Sequence, residues 1–131
     1  MLLNHSDYNP LMLAYLGDAY YEVLAREYLV ADGNAKRSQI NQLSKQIVTA
    51  SAQAGFADRM VPLLNEQELA VFKAGRNAKS PHRTKSASAI EYRIATGVEC
   101  LFGYFYLNGM HERAKSLFLN CVKETTHDHI D

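Results

Sequence analysis

The stretch Leu11–Leu29, LMLAYLGDAYYEVLAREYL, decides the fold. Leu13, Leu16, Tyr20, Val23, Leu24 and Tyr28 recur at helical spacing, which predicts a helix from about Pro10 to Val30, ended by Asp32-Gly33-Asn34. One residue does not suit that helix's apolar character: Asp18, directly behind Gly17. The stretch Ala95–Leu107, ATGVECLFGYFYL, repeats the oddity with Glu99. A carboxylate among apolar residues is costly to bury unless it is paired, hydrogen-bonded or placed on a metal.

The rest of the chain is also helical in pattern. Ile40, Leu43, Ile47, Ala50 and Ala54 predict a second helix from Ser38, with a shorter one around Phe56 to Leu64. Asn65-Glu-Gln-Glu68 and Ser88-Ala-Ile-Glu91 both read as capping boxes, each opening a helix. The first runs to Gly75 or Arg76; the second runs from Ala89 to Leu107, where Asn108-Gly109 supplies a left-handed stop. A last helix, Met110 to about Lys123, closes the domain, and residues 124–131 form a polar, frayed tail. No segment alternates as a strand does. The expectation is one all-α domain over residues 1–131, a compact helical bundle.

Composition narrows the class. Apolar residues make up 47% and charged residues 21%, and no window approaches the ~18 uninterrupted apolar residues of a membrane span. The first ten residues lack the pattern of a secretory signal, so the expected address is cytoplasmic, with no membrane partner. Cys100 and Cys121 lie in helical patterns without C-x-x-C spacing, which suits reduced, packed thiols. Net charge is zero, but its distribution is uneven. No acid lies between Glu68 and Glu91, whereas Lys73, Arg76, Lys79, Arg83 and Lys85 supply five cations beside His82. The other nine Lys and Arg face fourteen Asp and Glu. A mildly acidic body with one basic segment fits contact with phosphates at one face. A solvated loop without a ligand gives the same pattern.

For Asp18 three structural roles compete with chemistry: an exposed position, a pair with Arg26 or Lys36, or a cap. Packing of the two most apolar helices against each other would instead let Asp18 and Glu99 meet across the seam, with Gly17, Ala19, Gly97 and Gly103 permitting close approach. Two such carboxylates repel, and a hard divalent cation, Mg²⁺ above all, relieves the repulsion. A cation held by two acids keeps positions for phosphate oxygens and an attacking water, the arrangement of phosphodiester hydrolysis. Glu22, one turn beyond Asp18, fits either a water-mediated contact to that pair or an exposed pair with Arg26. Tyr15 reads as a core or dimer contact and Tyr20 and Tyr21 as packing. His127 and His129 sit in the tail.

The motif AYLGDAYYEV resembles the signature helix E-x-x-E-F-L-G-D of the ribonuclease III family, and VECLFGYFYL resembles its second acidic helix, D-x-x-E-A-L-I-G-A. With VTASAQA and FKAGRNAKS, the whole chain is similar to the small Mini-ribonuclease III branch, a catalytic domain without a double-stranded-RNA-binding domain. The resemblance implies a ribonuclease III-type fold, with Asp18 and Glu99 as catalytic and metal-binding acids and Mg²⁺ as cofactor. It implies a homodimer that cuts double-stranded RNA to 5′-phosphate and 3′-hydroxyl ends. It further implies a structured precursor of large-subunit (23S) ribosomal RNA as substrate, with a ribosomal protein as a possible assistant. The chain departs from the larger enzymes at Leu11, Ala14 and Thr96, where they carry acids. RNA contacts fall to Lys73, Arg76, Asn77, Lys79, Arg83 and Lys85. The rival reading, a non-catalytic RNA-binding or ribosome-associated module, rests on those three missing acids. A protein-interaction domain would leave the basic segment without a role.

Overall fold

The computed structural model describes residues 7–32, 36–78 and 87–128. All of its regular structure is helical: α1 (Pro10–Asp32), α2 (Arg37–Val48), α3 (Ala50–Met60), a 3₁₀ turn (Val61–Leu63), α4 (Glu66–Asn77), α5 (Ala87–Leu107) and α6 (His111–Asp128). No helix among the described residues is long and apolar enough to cross a membrane.

Local chemistry sets several ends. Asn9 caps α1 by accepting from the Leu11 N–H at 2.8 Å, and Pro10 takes the first helical position, where its missing N–H costs nothing. At α4 both bonds of the capping box form: Asn65 Oδ1 accepts from the Glu68 N–H, and Glu68 Oε1 accepts from the Asn65 N–H. The Asn108-Gly109 stop is a Schellman motif, with Met110 N–H donating to Phe105 O at 2.9 Å and Gly109 N–H to Tyr106 O at 3.1 Å. Gly109 takes φ +66°, the left-handed region where a side chain is disfavoured.

Three boundaries differ from the sequence reading. The second helix breaks at Thr49, in extended conformation, whose hydroxyl accepts from the Ala52 N–H and so ends α2 and starts α3 together. Ser88 lies inside α5, which begins at Ala87, so Ser88-Ala-Ile-Glu91 is not a capping box. Helix α6 continues past Lys123 to Asp128.

Helix α5 is the hub on which α1, α3 and α4 all pack. Val98, Leu101, Phe102 and Phe105 are fully buried, and Tyr21 meets Phe102 and Phe118 edge-on at 5.3 Å. Tyr20 and Tyr21 are core residues, as expected; the Tyr21 hydroxyl donates to Ile47 O at 2.9 Å. Cys100 and Cys121 are free and buried, and burial pushes the Cys100 thiol up to about 12, the state of a packed, unreactive thiol.

Polar ties fasten α6 at its start. The Tyr20 hydroxyl meets His111 Nδ1 at 2.5 Å and Lys115 pairs with Glu27 at 2.8 Å. Arg113 grips Glu68 with two nitrogens, at 2.8 and 3.0 Å, and donates to Leu63 O at 2.7 Å. Burial of Glu68 opposes ionisation, but Arg113 and the Asn65 N–H outweigh it and hold the carboxyl below the ordinary range. Arg113→Ala is therefore expected to destabilise the fold by about 3 kcal/mol, because it strands a buried carboxylate. Urea denaturation at neutral pH measures the loss.

Candidate active site

The site begins with a backbone contact. A Cβ on Gly17 would fall 1.6 Å from the Glu99 carbonyl oxygen and 2.6 Å from the Gly103 nitrogen, and one on Gly103 would fall 2.0 Å from the Leu13 carbonyl oxygen. Helices α1 and α5 therefore touch main chain to main chain. Asp18 follows Gly17, so this crossing brings its carboxylate to Glu99. Two of the four small residues named from sequence, Gly17 and Gly103, make this approach. Gly97 faces Phe72 of α4 instead, and Ala19 is exposed.

Asp18 is exposed and Glu99 half-buried. Burial, followed by the hydrogen bond and the charge of Asp18, raises the Glu99 carboxyl from 4.5 to about 8. Two carboxyl groups form a hydrogen bond only through a shared proton, and Glu99, the less exposed of the two, keeps it. Asp18 thus neither pairs with Arg26 nor caps a helix; Arg26 pairs with Glu22 at 3.0 Å. That exposed pair is the contact the structure gives Glu22. Thr96, one turn before Glu99, is 7% exposed and its hydroxyl donates to Tyr92 O at 2.9 Å, so no third acid stands there.

Two carboxylates forced together beside oxygen-rich solvent are a donor set that suits a hard divalent cation. Among the described residues no group of three or more His, Cys, Asp or Glu gathers, so a cation held here would have these two acids as its protein ligands.

The described start of the basic segment, the end of α4, packs on α5. A Cβ on Gly75 would lie 2.9 Å from Thr96 O, 3.0 Å from Gly97 Cα and 2.5 Å from Cys100 Cβ, which seats the last turn of α4 on the same part of α5 that carries Glu99. Lys73 and Asn77 are exposed and Arg76 is half-buried. Lys79, Arg83 and Lys85 lie outside the described residues, as does the side chain of His127 and the whole of His129. Tyr15 is not a core residue: it is 77% exposed, on a stripe of α1 with Met12 (62%) and Val23 (56%).

The structure adds a surface absent from the sequence reading. Lys36, Arg37, Ser38, Gln39, Asn41, Gln42, Lys45 and Gln46 are all exposed on or beside α2. The signal is legible as an absence, since no Asp or Glu occurs from Gly33 to Ala57.

A shared proton makes stability depend on pH. Folded Glu99 keeps its proton up to about pH 8, while the unfolded chain loses it near 4.5. The folded state therefore binds more protons in that window, and the contribution, complete at its lower end, is lost as pH rises through about 8. Thermal melts of EDTA-treated protein are expected to shift down across this window. Glu99→Gln is expected to flatten that part of the profile and to melt no lower than the parent at its upper end.

The sequence profile of the Ribonuclease III domain matches residues 11–110. The chain is 48% identical over 105 residues to a Mini-ribonuclease 3 of Brevibacillus brevis, covering 80% of this chain and 78% of that one. It is 40% identical over 123 residues to a Mini-ribonuclease 3 of Enterococcus faecalis, covering 92% and 93%. Its fold is similar to the crystal structure of a Fusobacterium nucleatum protein, with a TM-score of 0.78 at 28% identity over 91% of this chain and 95% of the other. With the acid pair on the two matching helices and the match spanning most of the chain, the chain belongs to the ribonuclease III family of endoribonucleases, in its Mini-ribonuclease 3 branch.

Proposed function

We propose that the chain cleaves double-stranded RNA by Mg²⁺-dependent hydrolysis, as a homodimer in the cytoplasm, and that its substrate is a structured precursor of 23S ribosomal RNA. The observation that carries the catalytic part is the enforced meeting of Asp18 and Glu99. Asp18 and Glu99 would hold the cation, whose chemistry there would be to polarise a phosphate oxygen and lower the pKa of an attacking water. To bind it as a carboxylate, Glu99 would have to give up the proton it carries without metal. The products carry 5′-phosphate and 3′-hydroxyl ends.

Affinity comes from the surface around the acids. Lys73, Arg76 and Asn77 at the end of α4 contact phosphates, together with Lys79, Arg83 and Lys85 beyond it. The amide and hydroxyl face of α2 suits 2′-hydroxyls across the wide, shallow groove of an RNA duplex. Such binding is salt-sensitive, because each neutralised phosphate releases counterions.

The exposed stripe of Met12, Tyr15 and Val23 supports the dimer, since an unpaired apolar helix face suits a self-complementary contact. Two copies bring two acid pairs, one for each RNA strand, and give staggered cuts. Attachment of a ribosomal protein to the substrate is compatible with this arrangement.

Cleavage of a labelled RNA duplex, with Mg²⁺ and with EDTA, tests the reading. Asp18→Asn and Glu99→Gln are each expected to abolish cleavage and leave duplex binding within about twofold, since they remove charge at the cation site and no phosphate contact. Cleavage that persists in either variant would remove these acids from the chemistry. For the dimer, light scattering is expected to give twice the mass of one chain, and Tyr15→Glu to give a monomer of unchanged helicity. A monomeric parent would refute the assembly.

A further inference from the structure

Three of the described arginines have partners that hold them. Arg26 pairs with Glu22, Arg113 with Glu68, and Arg59 donates to Cys121 O. Arg76 has no carboxylate partner among the described residues, and yet it is oriented. Its Cζ stands 5.9 Å from the centroid of the Phe72 ring, and its Nε donates to Asn77 Oδ1 at 3.2 Å. Phe72 is itself fixed, being 4% exposed and seated on Gly97. A Cβ on Gly97 would lie 2.8 Å from Phe72 O and 2.9 Å from ring atoms Cδ2 and Cε2, so the ring fills the space that a larger residue would take. Gly97 is two residues before Glu99. The row Gly97, Phe72, Arg76 thus runs from the helix of the acid pair to the start of the basic segment.

A guanidinium held without an acid has donors to spare. It presents a planar fork suited to two phosphate oxygens. Its cation–π contact with Phe72, together with the Asn77 hydrogen bond, restricts the side chain before any ligand arrives, which lowers the entropy lost on binding. Leaving it half-buried also weakens screening by salt.

We propose that Phe72, seated on Gly97, is a positioning residue that aims Arg76 at a phosphate of the RNA duplex. This inference rests on the assignment of Arg76 as an RNA contact made above. It gives a buried aromatic, with no RNA contact of its own, a measurable effect on RNA affinity through one arginine.

A double-mutant cycle tests it. The parent, Phe72→Leu, Arg76→Gln and the double variant are titrated with a fluorescent RNA duplex in EDTA, where binding is read without cleavage, and each is checked by thermal melt. Arg76→Gln is expected to weaken binding about tenfold, the loss of one charge-assisted contact. Phe72→Leu is expected to weaken it about threefold, the value of one cation–π contact at a half-exposed site. The double variant is expected to bind no more weakly than Arg76→Gln alone, because the ring acts only through the guanidinium. If Phe72→Leu unfolds the chain, Phe72→Met takes its place in the same cycle, as a flexible side chain that fills the gap without a ring face. Parent-like affinity of the Phe72 variant beside a weakened Arg76→Gln, or additive losses in the double variant, would overturn the positioning role and leave the RNA contact standing. Parent-like affinity of Arg76→Gln would overturn both.

Discussion

The contact between the α1 and α5 main chains is the constraint on which the site depends. With 1.6 Å between a hypothetical Gly17 Cβ and the Glu99 carbonyl oxygen, no other residue at position 17 lets the helices meet as they do. Each glycine in a helix interior costs about 1 kcal/mol of helix propensity relative to alanine. Burial of Val98, Leu101, Phe102 and Phe105 along α5 offsets that cost several times over. What the exchange produces is a pair of acids that electrostatics alone would separate. The packing of apolar residues elsewhere on the two helices supplies the force that keeps Asp18 and Glu99 together.

Helix α5 applies the same device to a second neighbour. Gly103, four residues after Glu99, serves the crossing with α1, while Gly97 lies on another face and receives Phe72 of α4. Because Glu99 stands between these glycines in sequence, the acid pair and the start of the basic segment are built from one stretch of one helix. A shift of α5 along its axis would disturb both together. Tyr21 of α1 adds a third support near Glu99: its hydroxyl is tied to Ile47 O of α2, and burial, then the charges of Cys121 and Glu99, raise its pKa.

Much of this is legible in the sequence, for reasons that differ from residue to residue. The period of Leu13, Tyr20 and Leu24 gives α1 because their burial against one core requires it. Asp18 and Glu99 stand out because acids are rare in apolar helices, and Asn65 to Glu68 and Asn108-Gly109 signal helix ends through local bonds. Local signals also mislead where local chemistry is not decisive. Ser88 has capping spacing but sits within a helix that starts earlier, and Thr49 interrupts a pattern whose apolar period continues across it. Contacts set by tertiary packing leave no mark in one sequence. Arg113 and Glu68 are 45 residues apart, Tyr20 and His111 are 91 apart, and nothing in the spacing of Gly97 says that its neighbour is Phe72 rather than α1.

Zero net charge makes local electrostatics decisive for an RNA ligand, since at physiological salt a charge is felt over about 8 Å. On the proposed function, two ionised carboxylates at the cleavage site would repel the phosphates that basic residues attract. A proton on Glu99 lowers that opposing charge, and with its pKa raised to about 8 Glu99 is mostly protonated at neutral pH in the metal-free protein. A proton on Glu99 offsets part of the repulsion that a divalent cation held by Asp18 and Glu99 would relieve. Burial raises Glu99 most and the neighbouring Asp18 adds to it, and that same neighbour gives the pair the donor set that suits a cation. A carboxylate spaced farther from Asp18 would lose that partner's hydrogen bond and charge, and burial alone would still hold its pKa up.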